Sequence, residues 1–135
     1  MTATGRFDRW RAAFLNVVQE TEVAAPLKTA SLTEDLKTWT SCLTSTVVAS
    51  CRQLGWLAAA KGHRLDDLPQ PGQEYLSMDV MAFPSSLAAG RWRLPIAAFE
   101  LENHRTDARV GYSLWKTLCL RAGLRVVFAL SLIHI

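Results

Sequence analysis

The sequence predicts a mixed α/β domain: two N-terminal helices, an antiparallel strand hairpin, a further helix, and a strand parallel to the one before it. Three observations carry this. Apolar residues recur at steps of three and four over residues 6–19 and 31–62, the period of helices with one buried face. Residues 74–83 and 91–102 are apolar runs separated by a turn-forming segment at 84–90, the pattern of a hairpin. Helical spacing returns over residues 106–122 and gives way to a β-branched, aromatic run at 124–129; such a strand–helix–strand connection makes a parallel crossover.

In the first helix Phe7, Trp10, Phe14, Val17 and Val18 make the apolar side. Ala24, Ala25 and Pro26 end it and begin a linker, since a proline ring removes a helix N–H and crowds the preceding turn. Ser31 and Glu34 are spaced as a capping box for the second helix. Its stripe of Leu32, Leu36, Trp39, Leu43, Val47, Cys51, Leu54 and Ala58 runs toward Gly62, with a bend at Gly55. Asp66, Asp67, Pro69, Pro71 and Gly72 mark residues 65–73 as a loop. In the strand at 74–83, Tyr75, Leu76, Met78, Val80, Met81 and Phe83 leave Asp79 as the acid of an apolar middle. Thr106 or Asp107 caps the last helix, Val110, Leu114, Leu118 and Ala122 are its apolar stripe, and Gly123 closes it.

At 135 residues, half hydrophobic and a fifth charged, the chain is one ordered domain or part of one. Five Trp promise an aromatic core, and a net charge of +3 permits an acidic partner without demanding one. Cys42, Cys51 and Cys119 have neither CxxC spacing nor a nearby His at zinc-ligand spacing, so buried free thiols in a reducing cytoplasm are expected. The charged N-terminus is no signal peptide, and no uncharged stretch has the length of a membrane span. Residues 130–135, Leu-Ser-Leu-Ile-His-Ile, match the translation of a transposon mosaic end used as a sequencing adapter. They are read as a non-native tail on a C-terminally truncated domain, the alternative being a native apolar strand end. That domain is residues 1–129, with an N-terminal helix and linker at 1–30 and a core at 31–129.

The chemistry gathers at Phe99, Glu100, Leu101, Glu102 and Asn103. Alternation along a strand puts Glu100 and Glu102 on one face, Phe99 and Leu101 on the other. Paired carboxylates in so apolar a segment are costly to bury unless a cation or shared proton uses them. The neighbouring strand supplies Asp79. Carboxylates from adjacent strands, with the Leu101 carbonyl, are the hard oxygen ligands that Mg²⁺ or Mn²⁺ takes. The alternative is a solvated sheet face. Tyr112 and Lys116 lie four apart on the helix that follows; by itself Lys116 reads first as a solvated helix lysine.

The pattern of Asp79, Glu100-Leu101-Glu102, a helix with Tyr112 and Lys116, and the strand at 124–129 resembles the PD-(D/E)xK nuclease superfamily, which has the restriction-endonuclease-like fold. The resemblance covers residues 74–129. It implies that Asp79 and Glu100 hold the metal with the Leu101 carbonyl, and that Asp79, Glu100, Glu102 and Lys116 are catalytic. Glu102 stands where the superfamily has a lysine, and Lys116 is the substitute. Glu20, Glu22 and Glu34 are candidates for the acid that a first helix contributes in that superfamily. His104, Arg105, Arg109 and Tyr112 are placed to meet substrate. The function implied is Mg²⁺-dependent hydrolysis of DNA phosphodiester bonds. A second reading is a non-catalytic nucleic-acid-binding or protein-interaction module on the same fold. The Trp-bearing helical half also admits an oligomerisation surface, a homodimer in the simplest case.

Overall fold

The structure, a computed structural model, describes residues 3–63, 65, 78–85, 94–104 and 106–130, with side chains from Gly5 onward. The expected loop at 66–73, the first part of the strand at 74–77, the segment 86–93, Arg105 and the tail beyond Leu130 lie outside these residues. Among the described residues the chain forms α1 (Ala3–Val18), α2 (Thr21–Leu32), α3 (Leu36–Gln53), β1 (Leu57–Ala60), β2 (Val80–Phe83), β3 (Ala97–Glu102), α4 (Asp107–Leu118) and β4 (Leu124–Ala129). The strands form one mixed sheet in the order β1-β2-β3-β4. β1, β2 and β3 are antiparallel neighbours, and β4 runs parallel to β3. The expected hairpin and parallel crossover are both present. A first strand, β1, is added to them.

Among the described residues three helices, not two, precede the hairpin. Pro26 lies inside α2 rather than ending a helix. It forfeits one hydrogen bond, and packing of α2 along α3 outweighs that loss. Ser31 is likewise within α2 and not a cap. The α2–α3 turn is closed by Asp35 N–H to Ala30 O and Glu34 N–H to Ser31 O, the paired bonds of a Schellman end. Glu34 occupies its left-handed position, at φ 58°. The true cap of α3 is Asp35, whose carboxylate accepts from Thr38 N and Thr38 Oγ1.

α3 ends at Gln53, nine residues before Gly62. Gly55, at φ 77°, sits between the bonds Gly55 N–H to Arg52 O and Trp56 N–H to Cys51 O, so it terminates the helix instead of bending it. Leu57–Ala60 then pairs with β2, Leu57 opposite Phe83 and Ala60 opposite Val80.

α1 and α3 cover one face of the sheet. Trp10, Val47, Cys51, Val80 and Phe99 are buried there. Trp10 lies 5.1 Å from Phe14 and 5.0 Å from Phe99 between ring centroids. Each large side chain buried this way contributes about 2–3 kcal/mol. Phe7, expected in this face, is 44% exposed. Met78, Met81, Phe83 and Ala98 form the core on the opposite face, with Leu120 and Ala122 against them.

α4 packs on β3 and β4, but with the side opposite to the one expected. Ser113 and Thr117 are its buried residues, while Leu114 and Leu118 are exposed, Leu118 by 70%. Two small hydroxyl residues let the helix approach the sheet closely, and their hydrogens are used: Ser113 Oγ donates to Glu102 Oε2, Thr117 Oγ1 to Leu114 O. Thr106 caps α4, accepting from Arg109 N. The helix stops at Leu118 with Cys119 as its cap, short of Ala122 and Gly123. Of the cysteines only Cys51 is buried; Cys119 is exposed, and all three are free. Among the described residues no helix is long and apolar enough to cross a membrane.

Candidate active site at the start of β2

Asp79 does not lie in mid-strand. It is the residue before β2, where the β2–β3 ladder ends with Val80 opposite Phe99. Beyond that pair, side chains replace the ladder. Asp79 Oδ2 accepts the Leu101 N–H at 2.7 Å, and Glu100 Oε1 accepts the Asp79 N–H at 3.2 Å. Each carboxylate thus takes a backbone donor of the other strand, which explains why an acid is tolerated there.

The alternation expected for β3 holds. Phe99 and Leu101 point into the core beneath α1 and α3, and Glu100 and Glu102 meet α4. Glu100 is only 5% exposed. Lys116 Nζ lies 3.1 Å from Glu100 Oε1. Burial first, and then the Asp79 charge, push the Glu100 carboxyl up to about 7; the hydrogen bond and charge of Lys116 work against them.

Glu102 behaves differently. Its Oε1 accepts from His104 N at 2.9 Å and lies 3.0 Å from His104 Nδ1, and its Oε2 accepts from Ser113 Oγ at 2.8 Å. Burial works to raise its pKa, but the His104 backbone N–H, the Ser113 hydroxyl and the His104 ring outweigh it and hold the carboxyl below its ordinary value. The two acids of β3 therefore divide: one is half-titrated near neutrality, the other is firmly ionised.

Asp79, Glu100, Glu102 and Lys116 are thus brought together. Asn103 ties the end of β3 to α3, its Nδ2 donating to Thr40 Oγ1 at 3.1 Å. His104 is exposed and bound to Glu102. Arg109 is exposed in the first turn of α4. Tyr112 turns away from the site, 55% exposed and 6.0 Å from the Trp115 ring. Arg105 lies outside the described residues. Of the three further acids considered, Glu34 lines a shallow cavity with Leu36, Asn103 and His104. Glu22 lines a separate one between α2 and α3.

Ser113 is a site residue that sequence reasoning missed, although its position three before Lys116 puts both on one helix face. Lys37, Lys61 and His63 were also missed. They line a cavity of about 640 Å³ that reaches Asp79 and Asn103 from the α3 side. Among the described residues no group of three or more His, Cys, Asp or Glu side chains converges as metal ligands do. Comparison with models of protein families, with characterised proteins and with solved structures finds no match to this chain.

Proposed function

We propose that the chain is a Mg²⁺-dependent nuclease, or nuclease-like domain, acting on DNA phosphodiester bonds. The observation that carries this reading is the meeting of β3, α4 and the residue leading into β2 on one oxygen: the Asp79 N–H and Lys116 Nζ both lie on Glu100 Oε1. The residues fit a hard divalent cation. Two neighbouring carboxylates, one buried and pushed up partly by the other, are an arrangement that such a charge relieves. Asp79 and Glu100 would hold Mg²⁺ or Mn²⁺, with the Leu101 carbonyl as a further oxygen. When bound, such a cation polarises a phosphoryl oxygen and lowers the pKa of water.

The remaining roles belong to the chain itself. Lys116 places a positive charge where negative charge develops on the phosphoryl group. Glu102, fixed by His104 and Ser113, orients water from the α4 side. His104 and Arg109, around the start of α4, supply phosphate contacts, and Arg105, between them in sequence, is assigned the same role. A mixed sheet with helices on both faces and a parallel last strand is in keeping with the restriction-endonuclease-like architecture. Free thiols accord with a reducing cytoplasm. The test is cleavage of supercoiled plasmid with Mg²⁺ or Mn²⁺. Asp79→Asn and Glu100→Gln each lower the rate at least a hundredfold; an unchanged rate in both rejects the reading.

A second reading is a non-catalytic DNA- or protein-binding module. What favours it is that Lys116 already neutralises Glu100 and that Glu102 replaces the superfamily lysine. Calorimetry with Mn²⁺ separates the two, since only the first expects heat of binding that Asp79→Asn removes. Light scattering tests the homodimer, which a monomer at high concentration excludes.

A further inference from the structure

The cavity on the α3 side belongs to no role assigned so far. Its long wall is the row Thr40, Ser41, Thr44 and Ser45 of α3, its far side is Lys61, Gly62 and His63, Lys37 stands on the α3 side, and it ends at Asp79 and Asn103. Two hydrogen bonds between elements bracket it: Asn103 Nδ2 to Thr40 Oγ1 at one end, and Ser45 Oγ with His63 Nε2, 3.3 Å apart, at the other. Gly62, at φ 84°, makes the turn that carries Lys61 and His63 around to this side.

The polar groups are of two kinds. Lys37 and Lys61 are exposed cations, and among the described residues the acid that lines the cavity with them is Asp79. The hydroxyls of Thr40 and Thr44 have given their hydrogens to Leu36 O and Thr40 O, one turn back, so they are left as acceptors only, and Thr40 Oγ1 already takes one donor from Asn103 Nδ2. A ligand matched to this lining carries negative charge beside Lys37 and Lys61 and hydrogen-bond donors beside Thr40 and Thr44. Phosphates with base amino groups or sugar hydroxyls answer that description. A volume of about 640 Å³ lies within the range of clefts that take small ligands. A duplex would instead spread over about 1,000–2,500 Å² of protein surface.

We infer that this cavity binds a single-stranded nucleic-acid segment, its phosphates toward Lys37 and Lys61 and its donor edges toward Thr40 and Thr44, and leads it to Asp79. This deepens the nuclease reading, and rests on it for the chemistry at Asp79 but not for the binding. No Phe, Tyr or Trp side chain lines the cavity among the described residues, so attraction is mainly electrostatic and falls with salt.

The experiment is fluorescence anisotropy of a labelled single-stranded DNA oligonucleotide with the full chain in EDTA, where no metal-dependent cleavage occurs. The double variant Lys37→Ala/Lys61→Ala binds at least tenfold more weakly. Its slope of log affinity against log salt is shallower by about 1.4, two single-strand phosphate contacts. Thr44→Val weakens binding severalfold with the slope unchanged. Lys28→Ala, on α2 outside the cavity, changes neither. The inference is overturned if the double lysine variant binds like the parent, or if a duplex of the same sequence binds as tightly as the single strand. Binding with this lysine dependence but no cleavage in Mg²⁺ defeats the nuclease reading alone. Cleavage with lysine-independent binding defeats the cavity alone.

Discussion

Lys116 Nζ stands 3.1 Å from Glu100 Oε1, bridging α4 and the end of β3, with both side chains largely withdrawn from water. A half-buried pair of this kind contributes less by its attraction than its loss would cost, because either partner left alone is a desolvated charge. Replacing Lys116 by Met keeps the length and removes the charge. Glu100 then titrates above about 7, and stability measured by urea denaturation at pH 9 falls by about 1–3 kcal/mol. At pH 6, where Glu100 holds its proton, the loss is smaller.

Glu100 also sets the pH dependence of folding. Its carboxyl is raised in the folded chain from an ordinary 4.5 to about 7, so the native state keeps a proton that the unfolded chain has already lost. The contribution is complete below pH 4.5 and disappears as pH rises to about 7, amounting to about 3 kcal/mol at most. Glu100→Gln cannot titrate. Denaturation midpoints of the parent should decline over that window relative to this variant, and the two curves should run parallel above it.

The Asp79 carboxylate and the Leu101 amide test the end of the β2–β3 ladder. Asp79→Ala leaves the Leu101 N–H without its acceptor and costs about 1–3 kcal/mol; Asp79→Asn keeps an acceptor oxygen and costs less. Hydrogen exchange reads this locally. The Leu101 amide exchanges faster in the alanine variant, while amides of β1 shift only with overall stability.

Glu34 is a non-glycine residue at the left-handed end of α2. Such a conformation costs an L-residue about 1–2 kcal/mol, and an exposed ionic contact is worth less than that. Glu34→Gly therefore raises stability by about 1 kcal/mol, seen as a higher Tm. A lower Tm would place the Glu34 carboxylate in a contact stronger than an exposed ion pair.

What the sequence disclosed depended on period and chemistry together. Alternation in residues 97–102 was enough to put Glu100 and Glu102 on one face, because a two-residue period admits no other arrangement in a strand. The apolar runs on either side of a turn-forming segment gave the hairpin, and the helix before residues 124–129 gave the parallel pairing. Helix ends were less legible. Pro26 and Ser31 carry local signals of a break and a cap, yet packing between α2 and α3 overrides both. Leu57–Ala60 reads as helix because alanine favours it; only the Gly55 turn and pairing with β2 make it a strand. α4 misled most, since apolar spacing selected Leu114 and Leu118 as its inner side. The burial of Ser113 and Thr117 depends on hydrogen bonds to Glu102 and to Leu114 O, and the bond to Glu102 is a partnership between elements that no spacing displays.

α3 is the central helix of this chain and also a poor one taken alone. Thr38, Thr40, Thr44, Thr46, Val47 and Val48 are β-branched, and each gives up rotamer freedom in a helix. Its stability comes from what it covers, since Val47, Val48, Ser50 and Cys51 are almost fully buried. Its assembly therefore waits on a sheet whose pairings span long stretches of sequence, β2 with β3 and β3 with β4. The wall of the candidate nucleic-acid cavity therefore depends on sheet contacts between residues far apart in sequence, not on the helix that carries it.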